Sequence, residues 1–342
     1  KHSTHHHFWP GFPLAVSSDD SREVGKDMLQ FKNGSCRTII TEFLLMGFPD
    51  DWMPQRLYAT LFFLIYLAAV MGNLLIITLT TIDQHLQVPM YFFLKNLSLI
   101  DIFYISATVP KSIMNSLTDS HSISSLGCAS QVFFVIVFAG TEFALLMVMS
   151  YDRYAAICHP LHYEGIMHRG ACVQMATASW LSGCVYGSIH VAGTFSVSFC
   201  GSNTVHQFFC DVPSLLELAC SGKHIFEDAF IILSCCFAFV CFILMVVSYV
   251  HIFSTVLRIP SAKGRIKTFS TCLPHIVVVM LFLFSGISTY LEQNVKSSSS
   301  LKLLISVLYT VLPPTLNPLI YSLRNKDIQK ALGKALTGKP SK

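Results

Sequence analysis

Seven apolar stretches, each about 20 residues or longer, leave this chain few ways to fold. They lie near 57–81, 90–114, 129–152, 171–198, 225–256, 268–291 and 301–323. A helix rising 1.5 Å per residue crosses a hydrocarbon core of ~30 Å in about that length. Backbone N–H and C=O groups in lipid have no water to bond, so each stretch is expected to be helical. The second carries Lys95 and Asp101, and the fourth weakens at its C-terminal end, where Gly and Ser accumulate. Charged residues make up only 12% of the chain. Soluble domains carry about 25%, so this chain is too poor in charge to cover a water-facing surface. The expected fold is an all-α membrane protein, a seven-transmembrane helix bundle.

The short loops orient it. Arg258, Lys263, Arg265 and Lys267 lie in the fifth connection, and Arg153 and Arg169 lie in or beside the third. The tail adds Arg324, Lys326, Lys330, Lys334, Lys339 and Lys342. With seven spans these fall on one side, which the positive-inside rule makes cytoplasmic. The opposite loops hold Asp119, Asp211, Glu217 and Glu292. The N-terminus is therefore expected outside, and the sequon at Asn33 fits glycosylation there. The expected division is 1–55 extracellular segment, 56–323 helix bundle and 324–342 cytoplasmic helix and tail. Residues 1–27 have no sustained apolar core of the signal-peptide kind. They precede Met28 and are expected to be disordered or foreign to the folded protein. Net charge is +4, with no Lys/Arg run of the kind that binds nucleic acid.

Twelve cysteines are present. Most lie in or beside spans or on the cytoplasmic side, where they read as small apolar packing residues. Cys36 precedes the first span and is assigned no partner, and four remain on the outer side, Cys128, Cys200, Cys210 and Cys220. Disulfides persist there, and four cysteines allow three pairings.

The motifs narrow the class. MSYDRYAAICHPLHY (149–163) ends the third span in an acid–base pair. With TEFLLMGF before the first span, PMYFFLKNLSLID in the second, SYVHI in the fifth, KTFSTCLPHIVVV in the sixth and PTLNPLIYSLRN in the seventh, it resembles the signatures of odorant receptors. These are rhodopsin-like G-protein-coupled receptors. The resemblance covers about 33–336. The chain departs from it at Gln87 and Val88, at Pro274, and at Leu283, where the family has a sixth-span tyrosine.

The resemblance implies a receptor, not an enzyme. It implies a small volatile odorant as ligand and a stimulatory, olfactory-type G protein as partner, raising cyclic AMP. It also implies a plasma-membrane location, in the cilia of olfactory neurons. No Ser-His-Asp set, metal-ligand cluster or phosphate loop stands in a suitable context. Asp152, Arg153 and Tyr154 would form the activation switch, with Arg153 paired to Asp152 at rest and Tyr249 and Tyr321 reorganising around it. Asp101 and Glu142 lie deep in the membrane and cannot both stay charged without a counter-charge. Related receptors hold sodium at the second-span aspartate, so Asn73, Asp101, Glu142 and Asn317 would form a polar site for that ion or a neutral network. The ligand pocket is expected around Val135, Ile136, Ala139 and Gly140, with Leu283, Ile287, Tyr290 and Thr310 facing the same space. No charged residue is expected to grip an amine or a carboxylate there. The pairing implied for the outer cysteines is Cys128–Cys210 and Cys200–Cys220. Ile328, Ala331, Leu332, Ala335 and Leu336 recur at helical spacing and imply an amphipathic helix on membrane lipid.

A non-olfactory small-molecule receptor of the same class is the nearest alternative. A membrane transporter is a more distant one, since no internal repeat is seen and central charges are few.

Overall fold

The computed structural model describes residues 28–32, 35–46, 52–118, 120–200, 202–220, 225–294 and 299–337. Seven long helices carry most of them: α1 (Trp52–Ile82), α2 (Pro89–Thr118), α3 (Ser125–Cys158), α4 (Arg169–Ser196), α5 (Ile225–Leu257), α6 (Ala262–Asn294) and α7 (Ser299–Arg324). A shorter α8 (Lys326–Thr337) follows. The helix starts are written in the sequence. Pro89 opens α2, where its missing N–H costs nothing. The Ser124 hydroxyl caps α3 by accepting from Gly127 N at 3.1 Å. His168 Nδ1 caps α4 by accepting from Ala171 N at 3.1 Å.

Among the described residues, six of the seven long helices have the length and apolar composition to cross a membrane. The exception is α4, and its packing explains why. Gly183 and Gly187, spaced as G-x-x-x-G, lie directly against α3. A Cβ added at Gly187 would stand 2.6 Å from Val137 Cγ2, and one at Gly183 would collide with Thr141 Oγ1. Membrane helices associate through such small residues, because lipid is as apolar as any side chain and only close packing holds them together. α4 has exchanged apolar bulk for contact. The weakness of the fourth span in the sequence is a packing feature.

α3 runs through the middle of the bundle. Its Leu145, Leu146 and Met149 are fully or almost fully buried in the largest apolar cluster, with Leu97 and Ile100 of α2 and Tyr321 of α7. Prolines lie inside α2 (Pro110), α6 (Pro274) and α7 (Pro313, Pro314, Pro318). Neighbouring groups re-satisfy the freed carbonyls: Asn73 Nδ2 donates to Pro314 O at 2.8 Å and to Ala69 O at 3.0 Å.

The two ends of the bundle are built differently. At one end, strands stitch the segment before α1 to the loops. Two strands, β1 (Met28–Lys32) and β2 (Ser35–Ile39), form an antiparallel hairpin. Next, β3 (Glu42–Leu45) pairs antiparallel with β4 (Ser122–Ser124) and parallel with β5 (Thr204–Val205). At the other end, α8 folds back along the bundle and buries Ile328 and Ala331 in the main core. Two of the five residues expected to lie on lipid are thus spent on protein. Lys334 Nζ reaches Asp83 Oδ2 at 3.3 Å, and Tyr91 donates to Asn325 Oδ1 at 3.0 Å. A backbone bond from His85, with Lys334 beside it, holds the Asp83 carboxyl below its ordinary range. α1 begins at Trp52, ahead of the expected boundary at 56.

Candidate functional site

The stitched end carries two disulfides. Cys128, in the first turn of α3, is bonded to Cys210 in the loop after α4, with Cα atoms 5.5 Å apart. Cys200 and Cys220 close that loop on itself, with Cα atoms 4.8 Å apart. Polar bonds reinforce the first link. Cys210 N donates to Gln131 Oε1 at 2.8 Å, and Gln131 Nε2 donates to Ala107 O at 2.9 Å. Beside Cys210, Phe208 and Phe209 are driven into the bundle, buried against Phe62 and Tyr309. The loop is a lid anchored by one bond to α3 and by two phenyl rings.

Below the lid lies a cavity of about 240 Å³. α3 contributes Val132, Val135, Ile136, Ala139 and Glu142. α2 and α4 contribute Tyr104, Tyr186 and His190, and the lid contributes Phe209 through Pro213 with Leu216. Phe282, Ser285 and Gly286 of α6 complete the wall with Tyr309 and Pro313 of α7.

Three of the expected pocket residues, Val135, Ile136 and Ala139, line this cavity. Others do not. Gly140 faces α4, where an added Cβ would meet Tyr186 at 3.2 Å. Thr310 is fully buried beside the cavity, and its neighbour Tyr309 takes the lining position. Leu283 packs into the main core, and Ile287 is 57% exposed on the outside of the bundle. The reason is helical phase. Phe282, Ser285 and Gly286, spaced i, i+3 and i+4, form the inward stripe of α6, and 283 and 287 lie off it. Tyr290 lies outside the residues whose side chains are described. The expected absence of charged groups is also corrected: Glu142 and Asp211 line the cavity, with His190 beside them. His190 Nε2 shares a hydrogen bond of 3.0 Å with Ser234 Oγ.

At the cavity floor the polar core begins. Asn317 Nδ2 donates to both carboxylate oxygens of Asp101, at 3.2 and 3.1 Å, and to Glu142 Oε1 at 3.3 Å. One amide thus bridges acids from α2 and α3. Asn73 does not join them, because its amide is spent on backbone carbonyls of α1 and α7. The side-chain oxygens of Asn73 and Asn317 have no partner among the described residues.

The far end holds Asp152 and Arg153. Asp152 accepts from the Tyr163 hydroxyl at 2.8 Å, and Arg153 Nε is buried without a hydrogen-bond partner among the described residues. Asp152 thus bonds Tyr163, with Arg153 beside it as a nearby charge. Adjacent residues on a helix point about 100° apart, so a pair at i, i+1 does not face itself. Burial, with the Asp152 charge next to it, raises the Tyr163 phenol above its ordinary range. Tyr154 shares a 3.0 Å hydrogen bond with His159. The Tyr321 hydroxyl is buried and unpartnered among the described residues.

Tyr249 bonds instead to a residue the sequence reading passed over. Its hydroxyl lies 2.6 Å from His275 Nδ1, and His275 Nε2 lies 3.0 Å from Leu146 O. This chain of bonds joins α5, α6 and α3 across the bundle. The available signal was a histidine inside an otherwise apolar span, which is costly unless bonded. Asn33 lies outside the described residues.

Seven long helices, six of them apolar enough to cross a membrane, a disulfide-anchored lid over an apolar cavity and a buried arginine at the opposite end define a heptahelical membrane receptor. The comparisons make the class specific. The family model described as "Olfactory receptor" matches residues 62–339. Human olfactory receptor 14A16 is 56% identical over 305 residues, spanning 89% of this chain and 98% of that protein. Human olfactory receptor 14L1 is 54% identical over 296 residues, 86% of this chain and 91% of that protein. Mouse olfactory receptor 1J21 is 45% identical over 303 residues, 89% of this chain and 97% of that protein. The chain belongs to the olfactory receptor family, multi-pass membrane proteins that are receptors and not enzymes.

Proposed function

We propose that this receptor binds a small, mostly apolar odorant in the cavity beneath the lid. Binding shifts the population toward a form whose Arg153 end engages a stimulatory, olfactory-type G protein, raising cyclic AMP. The carrying observation is the continuity between the two ends. The cavity wall residue Phe282 stacks on Phe143 of α3, with ring centroids 5.6 Å apart and planes 17° apart. One turn further along α3, Leu146 O meets His275 of α6, which meets Tyr249 of α5. A ligand that moves Phe282 therefore acts on the contacts that hold α5 and α6 against α3. It shifts the equilibrium only by its differential affinity for the two forms.

Orientation follows in this reading. The disulfide end is extracellular, since disulfides persist in oxidising surroundings. The Arg153 end, with Arg258, Lys263, Arg265 and Lys267 in the nearby loop, is cytoplasmic. The location we assign is the plasma membrane, in the cilia of olfactory neurons.

The polar core is proposed to hold sodium in the inactive form. Two carboxylates and the free oxygen of Asn317 make an all-oxygen donor set of the kind a hard cation takes. Asp101, Glu142 and Asn317 would hold the ion. Asn73, turned to the backbone, would support α7 through Pro314.

The test is ligand-dependent cyclic AMP in transfected cells, with surface staining as control. Arg153→Ala is expected to reach the surface and lose roughly tenfold or more in response, the effect of about 1.4 kcal/mol on the switch. A surface-expressed Arg153→Ala that signals like wild type would overturn the reading. For the ion, wild-type basal activity should respond to sodium and Asp101→Asn should not. A sodium-insensitive wild type would leave the acids as a neutral network.

A further inference from the structure

The cavity has a polar end that the olfactory reading leaves unused. Asp211 follows Cys210, so the bond to α3 fixes its backbone at the cavity roof. Its side chain is only 8% exposed. Ser214, three residues on, stands next to the carboxyl and favours its ionised form. Oδ1 is left with no partner among the described residues. A buried acceptor without a donor bears its full desolvation cost, and any group that supplies the donor recovers it.

The rest of the lining fixes what that group is. No lysine or arginine lines the cavity among the described residues, and Glu142 presents a second carboxyl at the floor. An anionic ligand would meet two acids and no cation. An ether or ester has no donor to offer. A hydroxyl or an ammonium has one, and its hydrocarbon part matches Val132, Val135, Ile136 and Phe282.

We propose that this cavity selects small apolar molecules bearing one hydrogen-bond donor, a hydroxyl or an ammonium, and that the Asp211 carboxyl is the acceptor. The proposal rests on the cavity being the odorant site. Burial pushes the Asp211 carboxyl up to about 6, which leaves it mostly ionised at neutral pH. A bond to that anion is charge-assisted and stronger than a neutral one.

The experiment uses the full-length receptor in cells with a cyclic AMP readout and surface staining. The probes are matched sets of alcohol, primary amine, methyl ether and carboxylic acid on linear, cyclic and aromatic skeletons. Agonists are expected among the alcohols and amines. Asp211→Asn keeps an acceptor without the charge, so it should retain alcohols and weaken amines by roughly tenfold or more. Asp211→Leu should weaken both. A panel without an active donor, whatever else responds, overturns the proposal. So does an agonist whose potency is indifferent to a surface-expressed Asp211→Leu. Ala139→Phe separates the two claims by filling the cavity. If agonists survive it, the cavity reading itself fails. If Ala139→Phe abolishes their response and Asp211→Leu does not change it, only the donor inference falls.

Discussion

The two ends of this bundle solve opposite problems. The lid end is tied down by two disulfides, a three-stranded sheet built from distant segments, and two buried phenyl rings. The Arg153 end has no covalent tie among the described residues. It is held by single hydrogen bonds such as Tyr163–Asp152 and Tyr249–His275. It also keeps donors in reserve, at Arg153 Nε and the Tyr321 hydroxyl. Unmade bonds at a buried site lower the cost of adopting another arrangement, because the new state gains partners that the old one lacked. In the proposed switch the lid end keeps one shape, and the other end exchanges one for another.

Cutting the ties at the lid end should produce the largest effect. Cys128→Ser or Cys210→Ser frees the lid from α3 and is expected to abolish surface expression and response together. Cys200→Ser, which opens only the local loop, should be milder. Equal loss in all three, measured by surface staining and cyclic AMP, would show that the anchor to α3 has no special role. Peptide mapping without reduction checks the connectivity directly.

Loosening a single bond at the Arg153 end should shift an equilibrium and leave the fold intact. Tyr163→Phe removes the partner of Asp152 and frees that carboxylate to compete for Arg153. Basal cyclic AMP is expected to change by roughly tenfold, about the worth of one hydrogen bond to a charged group. Unchanged basal and ligand-driven signalling would remove Tyr163 from the switch.

Asp211 sharpens the comparison by pH. Its folded value of about 6 lies above that of an exposed aspartate, so burial favours the protonated form. The stability it contributes is therefore present at low pH and is lost as pH rises through about 6. The groups facing it are Glu217 and Tyr104, with Glu142, Tyr186, His190 and Tyr309 around the same cavity. Ligand-free receptor in detergent should melt slightly higher near pH 5 than near pH 7, and Asp211→Asn should flatten that difference. Amine agonists should show the reverse trend, weakening as pH falls below about 6. A melting curve as steep in Asp211→Asn as in wild type would assign the dependence to another group.

The smallest effect belongs to α8. Lys334 and Asp83 are partly exposed, and solvent screens such pairs. Lys334→Ala should leave signalling within about twofold of wild type. A large loss would mean that α8 acts on the switch and is not merely docked.

Much of this was legible in the residues, and the gaps have physical causes. Apolar runs announce membrane helices because lipid demands them. The α4 run is faint because helix contact replaced bulk with Gly183 and Gly187. Val135, Ile136 and Ala139 follow from the period of α3. The phase of α6 was misjudged at Leu283 and Ile287, since an all-round apolar helix carries no stripe to read. Asp211 was invisible as a site, because a loop acid on the outer side reads as solvated until the disulfide buries it. The bond from Tyr163 to Asp152 was not legible, because the two residues lie in separate elements eleven positions apart.

Hydrogen exchange on purified full-length receptor, with and without an agonist from the alcohol and amine panel, tests the division between the two ends most directly. The account predicts slower exchange in the lid, 204–217, and faster exchange where α5 and α6 meet, 250–268. Faster exchange in the lid, or an unchanged 250–268 segment in a signalling receptor, would contradict it.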